Sequence, residues 1–188
     1  MRHGCSVAEF SIETERLILR EWRDEDVPIL HRMGNDPRVM EFLGPQQTLD
    51  EAMEIVARQQ DIQRNLGYCF WVIERKTDAT LIGFCGLKPV PEATPLEGKT
   101  EIGWRLAHDH WGLGYAREAA QASLDWGFAH LADNAIWAIT VAANIRSWNL
   151  MERLGMTRQH NLDFDHPGVP IGSSLKRHIT YRIGRPQA

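Results

Sequence analysis

Residues 10–20 alternate polar and apolar side chains, with Leu17 and Leu19 on one face, a period of two that predicts an edge or half-buried strand. A helix is expected next, capped by Asp24 or Asp26, with Val27, Leu30 and residues 31–33 inward and Asn35, Asp36 and Pro37 ending it. Thr48 and Glu51 are spaced as a capping box ahead of a long helix reaching Leu66, whose inner positions are Ala52, Ile55, Val56 and Ile62. Residues 68–75 and 81–88, rich in aromatic and β-branched side chains, read as a hairpin joined through 76–79. Pro89, Pro91, Pro95 and Gly98 then interrupt any regular pattern, so a loop precedes the strand at 100–107. Beyond Gly112 and Gly114 lies a helix with Ala116, Ala119, Ala120, Leu124, Phe128 and Leu131 on one face. The continuous apolar run 135–142 predicts a central strand covered on both sides. Asn144 can cap a short helix ending near Gly155, and two last strands are expected at 157–163 and 175–182.

A chain of 188 residues with 43% apolar content suits one well-buried α/β domain, expected over residues 11–184 behind a flexible leader at 1–10. The formal net charge of −4 supplies no global attraction to nucleic acid or to an anionic bilayer. No apolar run approaches a membrane span and the first ten residues lack the apolar core of a signal peptide, so a cytoplasmic enzyme is expected. Cys5 falls in the leader and Cys69 and Cys85 fall in strands; three cysteines at irregular spacing make no disulfide framework. Cys85 has no evident base beside it and reads as core packing.

Residues 101–118 run from a strand through a glycine turn into a helix, an arrangement that binds phosphate. Glycines let a ligand approach the backbone, and the helix start offers unpaired N–H groups and a positive dipole end. A dinucleotide would use such a turn, but Arg117 stands where the third glycine of G-x-G-x-x-G belongs, and repeated βαβ units are missing. The alternative is coenzyme A. The segments TERLILREW (14–22), LIGFCGL (81–87), EIGWRL (101–106), WGLGYAREA (111–119), NIRSWNLMERLGM (144–156) and LKRHITYRI (175–183) together resemble the GNAT superfamily of N-acetyltransferases. Within it they are most similar to the ribosomal-protein N-terminal acetyltransferase branch.

That resemblance implies a mixed α/β fold: a mostly antiparallel sheet of about seven strands, flanked by helices, with two splayed central strands. It also implies acetyl-CoA as donor, its pyrophosphate on the turn formed by Trp111, Gly112, Leu113, Gly114, Tyr115, Ala116 and Arg117, and its pantetheine arm along Trp104, Arg105 and Leu106. Trp111 departs from the superfamily's usual Gln or Arg, and Arg117 is either a phosphate partner or a solvated surface arginine. Glu101 matches the glutamate that serves as general base in some members; its other reading is a structural pair with a cross-strand cation. Where many members carry an acidic tyrosine this chain has Met151, so Ser147 or water is left to meet the thiolate. Asn144 would bind pantetheine as well as cap its helix, and a backbone N–H of Trp104 or Arg105 would stabilise the oxyanion. His108, His110, His160, Asp163, Asp165, His166 and His178 match no ligand spacing, so no metal is expected, while His178 or Tyr181 could line the acceptor pocket. The expected reaction is direct transfer to a primary amine, either a protein N-terminus or a small molecule. A non-catalytic acyl-CoA sensor is the alternative, and a homodimer is compatible with the pattern.

Overall fold

The computed structural model describes residues 10–186, so the expected leader, Phe10 aside, and Cys5 within it lie outside the described residues. The alternation at 10–20 is a hairpin rather than one strand: β1 (Ser11–Glu13) pairs antiparallel with β2 (Leu17–Arg20). A turn closed by Thr14 N–H on the Leu17 carbonyl at 2.9 Å interrupts it, and a period of two cannot reveal such a break. A 3-10 turn, Asp24–Asp26, leads into α1 (Val27–Gly34), which ends where expected. Pro37, expected only to stop that helix, opens α2 (Pro37–Met40), because proline's fixed φ suits a first helical position; Asp36 caps it by accepting from Arg38 N–H at 2.9 Å.

Thr48 and Glu51 form the reciprocal capping box of α3 (Leu49–Leu66). Its buried positions include Gln59 and Gln63 beside Ala52 and Val56. Gln59 Oε1 accepts from Phe70 N–H and Gln63 Oε1 from the Trp71 indole, both at 3.0 Å, so these polar side chains fasten the helix to the sheet.

The remaining elements are β3 (Phe70–Arg75), β4 (Thr80–Pro89), β5 (Thr100–Leu106), α4 (Tyr115–His130), β6 (Ala135–Val141), α5 (Ile145–Arg153), β7 (Thr157–Arg158), β8 (Phe164–Asp165) and β9 (Arg177–Gly184). The strand expected at 157–163 is broken: after β7 the chain bends into a 3-10 turn, His160–Leu162, which brings Asp163 onto Arg158 and onto Thr180 N–H. One sheet of nine described strands runs β1-β2-β3-β4-β5-β6-β9-β7, with β8 also on β9. Nine replaces the expected seven because of the split first strand and the two-residue β7 and β8. Every pairing is antiparallel except β5 with β6.

Helix α4 covers the face of β4 that carries Cys85 and Leu87; a Cβ on Gly127 would lie 2.6 Å from Leu87 Cδ1, so only glycine allows this approach. Burial there pushes the Cys85 thiol up to about 12, as befits a packing residue. The other face bears Phe70 and Phe84, whose stacked rings are 5.9 Å apart, with Trp22 against Phe84 at 5.9 Å. The segment joining α2 to α3 reaches this face through Gln47, which contacts Arg105.

Candidate active site

Parallel strands β5 and β6 are in register only at Thr100 with Ile136 and Glu101 with Trp137. Beyond Glu101 they diverge, so backbone groups of β5 facing β6 have no strand opposite them. The Leu106 carbonyl is the exception; it accepts from the Trp111 indole at 2.8 Å, which fixes that ring at the mouth of the gap. The split opens a cavity of about 1140 Å³ between β5, α4, α5 and the α2 region.

At one end of the cavity the chain passes through a 3-10 turn, His108–His110, into the glycine turn. Gly112 and Gly114 have φ of 74° and 83°, in the left-handed region that side chains disfavour. A Cβ at Gly112 would meet nothing within 4 Å, so the backbone there is open for close approach. Gly114 is the N-cap of α4 and no side chain caps the first-turn amides. Arg117 forms no hydrogen bond or ion pair among the described residues, and the Arg146 guanidinium lies over the Trp111 ring at 5.1 Å. Uncapped amides, free space and two arginines suit an anionic group such as a pyrophosphate.

Glu118 sits in the same helical turn. Its carboxylate accepts from the Thr14 hydroxyl (2.6 Å), Arg16 N–H (2.8 Å) and Arg16 Nε (2.7 Å), while Arg16 Nη1 donates to the Leu113 carbonyl. Burial alone would raise this carboxyl, but the hydrogen bonds from Thr14 and Arg16 outweigh it and hold it below its ordinary value. The β1–β2 turn thus braces the glycine turn, a link between residues a hundred positions apart that no local pattern signals.

Glu101 lies where β5 and β6 still pair. The residue is 8% exposed, and its Oε2 has no hydrogen-bond partner, with Lys88 Nζ across the strand at 3.6 Å. Burial pushes the Glu101 carboxyl above its usual range, and Lys88 only partly offsets this. Gly103 and Arg105 follow on the same face of β5, opposite Gly86 and Phe84. A Cβ on Gly103 would come 2.7 Å from the Phe70 ring, so the aromatic floor approaches the backbone only because this residue is glycine.

On the far wall, Asn144 Oδ1 caps α5 by accepting from Ser147 N–H at 3.3 Å. The Asn144 amide nitrogen and the Ser147 hydroxyl have no partner among the described residues. Met151 lines the cavity and is 2% exposed. Glu152 also lines it and accepts from the Tyr181 hydroxyl at 3.1 Å. Tyr181 and His178 themselves stand off the cavity; the His178 ring packs on His166 at 4.9 Å. Burial lowers the His110 imidazole below its ordinary value, favouring the neutral ring beside the glycine turn.

The fold brings Glu101, Trp104, Arg105, Leu106, Trp111, Gly112, Gly114, Tyr115, Ala116, Arg117, Asn144 and Ser147 to one cavity. Leu113 is exposed and is not part of the lining. Sequence reasoning missed Phe70, Phe84 and the α2 residues Arg38 and Val39, which an aromatic run and a four-residue helix do not announce. No group of three or more His, Cys, Asp or Glu placed to hold a metal ion occurs among the described residues. No helix among them is long and apolar enough to cross a membrane.

Comparison with known proteins bears on the same elements. The uncharacterized N-acetyltransferase p20 of Bacillus licheniformis is 31% identical over 152 residues, covering 79% of this chain and 83% of its own. An acetyltransferase structure from Agrobacterium tumefaciens strain C58 superposes with a TM-score of 0.75 at 26% identity, covering 97% of this chain and 99% of its own. The RimL ribosomal L7/L12 alpha-N-protein acetyltransferase, solved in complex with coenzyme A, shares the fold alone: TM-score 0.75 at 16% identity, over 93% of this chain and 98% of that one. The family profile of the acetyltransferase (GNAT) domain matches residues 16–157, the span from β2 to the start of β7 that contains both strands of the split and the glycine turn. The chain therefore belongs to the GNAT family of acetyltransferases.

Proposed function

We propose that residues 11–184 act as one domain that transfers an acetyl group from acetyl-CoA directly to a primary amine in a ternary complex. The observation that carries this reading is the β5–β6 gap, with a buried carboxylate held only by a 3.6 Å ion pair to Lys88 at its closed end and an uncapped helix start at its open end. Acetyl-CoA would supply an activated acyl carbon and a thiolate leaving group. The amides of residues 112–116, with Arg117, would hold its pyrophosphate; the free backbone of Trp104, Arg105 and Leu106, with the Asn144 amide, would hold its pantetheine.

Glu101 is the base in this reading. Its raised basicity narrows the gap to an ammonium acceptor, whose pKa is about 8 for an α-amine and about 10.4 for a lysine-type amine. The backbone N–H of Trp104 or Arg105 would bind the developing oxyanion, in a gap where little water competes. Ser147, one helical turn before Met151 on α5, would donate to the departing thiolate directly or through water. A thiol of ordinary pKa about 8.5 needs little such help. The unpaired, buried Cys69 and Cys85 suit a reducing, cytoplasmic setting.

Buried Met151, which has no proton to give, favours the second reading, a sensor that binds acyl-CoA without turnover. Thiol release from acetyl-CoA, with mass detection of product, against short peptides, polyamines, amino acids and aminoglycosides separates the two. Acetylated product from one amine class is the expected result. Tight acetyl-CoA binding with no product from any class would favour the sensor.

A further inference from the structure

Among the described residues, Arg105 is the one arginine of the cleft with an enclosed nitrogen that has no hydrogen-bond partner. Its Nε is buried without a partner, and Nη1 makes a single 3.3 Å contact with the neutral Gln47 side chain. No carboxylate pairs with it among the described residues, whereas Arg20, Arg38, Arg75 and Arg158 each hold one. The guanidinium rests over the Phe84 ring at 5.3 Å, a contact that orients it without neutralising it. Burial alone lowers its pKa to about 10, so it remains a cation at neutral pH.

Its position says what would satisfy it. Glu101, Gly103 and Arg105 share one face of β5, so the carboxylate and the guanidinium emerge from Cα atoms about 13 Å apart at the ordinary strand rise. Between them lies the aromatic floor that Gly103 uncovers. A smaller cavity of about 310 Å³ meets the main one at Leu43 and Arg105. Its lining combines Arg58 with two carboxylates, Glu51 and Glu54, which disfavour an anion there. The uncapped amides that suit the donor's phosphates follow the same C-terminal end of β5, past the 3-10 turn, but they open α4, which covers the face of the sheet opposite to the one that carries Arg105 and Phe84.

We propose that the acceptor is an amine that carries its own anionic group, a carboxylate or a phosphate, which Arg105 receives while the amine faces Glu101 and an apolar body lies on Phe70 and Phe84. The inference deepens the acetyl-transfer reading and rests on it. Carboxylate and phosphate each present two oxygens to the planar guanidinium fork, and the test distinguishes them.

Acetylation by the full chain is followed at saturating acetyl-CoA with matched pairs: 6-aminohexanoate and 6-aminohexanamide, L-phenylalanine and its amide, O-phosphoethanolamine and ethanolamine. Rates are compared per unprotonated amine. For the pair of the right anion, KM of the charged member is expected to be at least tenfold lower. In Arg105→Gln that ratio collapses towards one, and Arg105→Lys restores part of it. No preference in any pair, or a preference that survives Arg105→Gln, overturns the inference. So does an equal loss of coenzyme A affinity and of both members, which would assign the side chain to the donor or to folding. If the wild-type chain acetylates none of the six, the broader amine panel decides the transfer reading separately. Tryptophan-fluorescence titration with the same acids then decides this inference: binding lost in Arg105→Gln supports it, and absence of binding overturns it.

Discussion

Two arginines on the same sheet have opposite surroundings. Arg20, on β2, donates to both oxygens of Asp26 at 2.9 Å and to Glu74 at 2.8 Å, and Asp26 in turn accepts from Arg23 N–H. Arg105, on β5, has an enclosed Nε with no acceptor. The contrast extends beyond the pair, because among the described residues the buried side-chain atoms without a hydrogen bond belong to Glu101, Arg105, His108 and His110, one ten-residue stretch along the cleft. In the framework a buried polar group is matched within the chain, as its desolvation requires. Along the cleft such groups are left for something that is not part of the chain, so stability and function are assigned to different halves of the sheet.

The contrast is tested most severely at Glu101. Glu101→Gln keeps the size of the side chain and removes the base; it is expected to lower kcat about 10²- to 10⁴-fold while acetyl-CoA affinity holds. A kcat within threefold of wild type would return Glu101 to a structural pair with Lys88. The wild-type kcat/KM should fall on an acid limb set above the ordinary carboxylate value, because burial raises Glu101, and the variant should lose that limb. Stability moves the other way. A carboxyl raised on folding favours the native state most below its unfolded value and less as pH rises through its folded one. Glu101→Gln should therefore be at least as resistant to urea as wild type at pH 7, and any gain should shrink as pH falls towards 4.

Arg20→Met should do the reverse. It strands Asp26 and Glu74, and the expected loss is about 3–5 kcal/mol of unfolding free energy, with little change in kcat for the fraction that remains folded. A loss below about 1 kcal/mol in urea titration would mean that the network tolerates the missing cation, and the division between the two halves would fail on its framework side.

These regions also differ in how far the sequence revealed them. Regular elements with caps or long apolar stripes were legible: the Thr48 box, α4, β6 and the Asn144 cap all follow from local patterns. Fold class and the lining residues of β5 and the glycine turn were legible too, because the motif order across most of the chain carries them. Long-range polar pairing was not. Nothing near Gln63 announces the Trp71 indole, nothing near Glu118 announces Arg16, and the isolation of Arg105 depends on which carboxylates the fold happens to bring near it. The break at Thr14 and the helix at Pro37 were misjudged because alternation and proline each permit two local structures.

The smallest effects give the finest test, since two substitutions of similar cost should separate by their effect on ligand. Thr48→Ala removes the acceptor for Glu51 N–H at 3.2 Å and should cost about 1 kcal/mol of stability. Gly112→Ala places a methyl-bearing residue at φ of 74°, for about 1–2 kcal/mol. Among the described residues that methyl would meet nothing within 4 Å apart from its own chain neighbours. Any further penalty must then come from a ligand that approaches the turn. Calorimetric titration should accordingly find coenzyme A binding unchanged in Thr48→Ala and at least tenfold weaker in Gly112→Ala. Equal affinity in the two would remove the glycine turn from the donor site and leave the open groups of β5 as the only part of the contrast still standing.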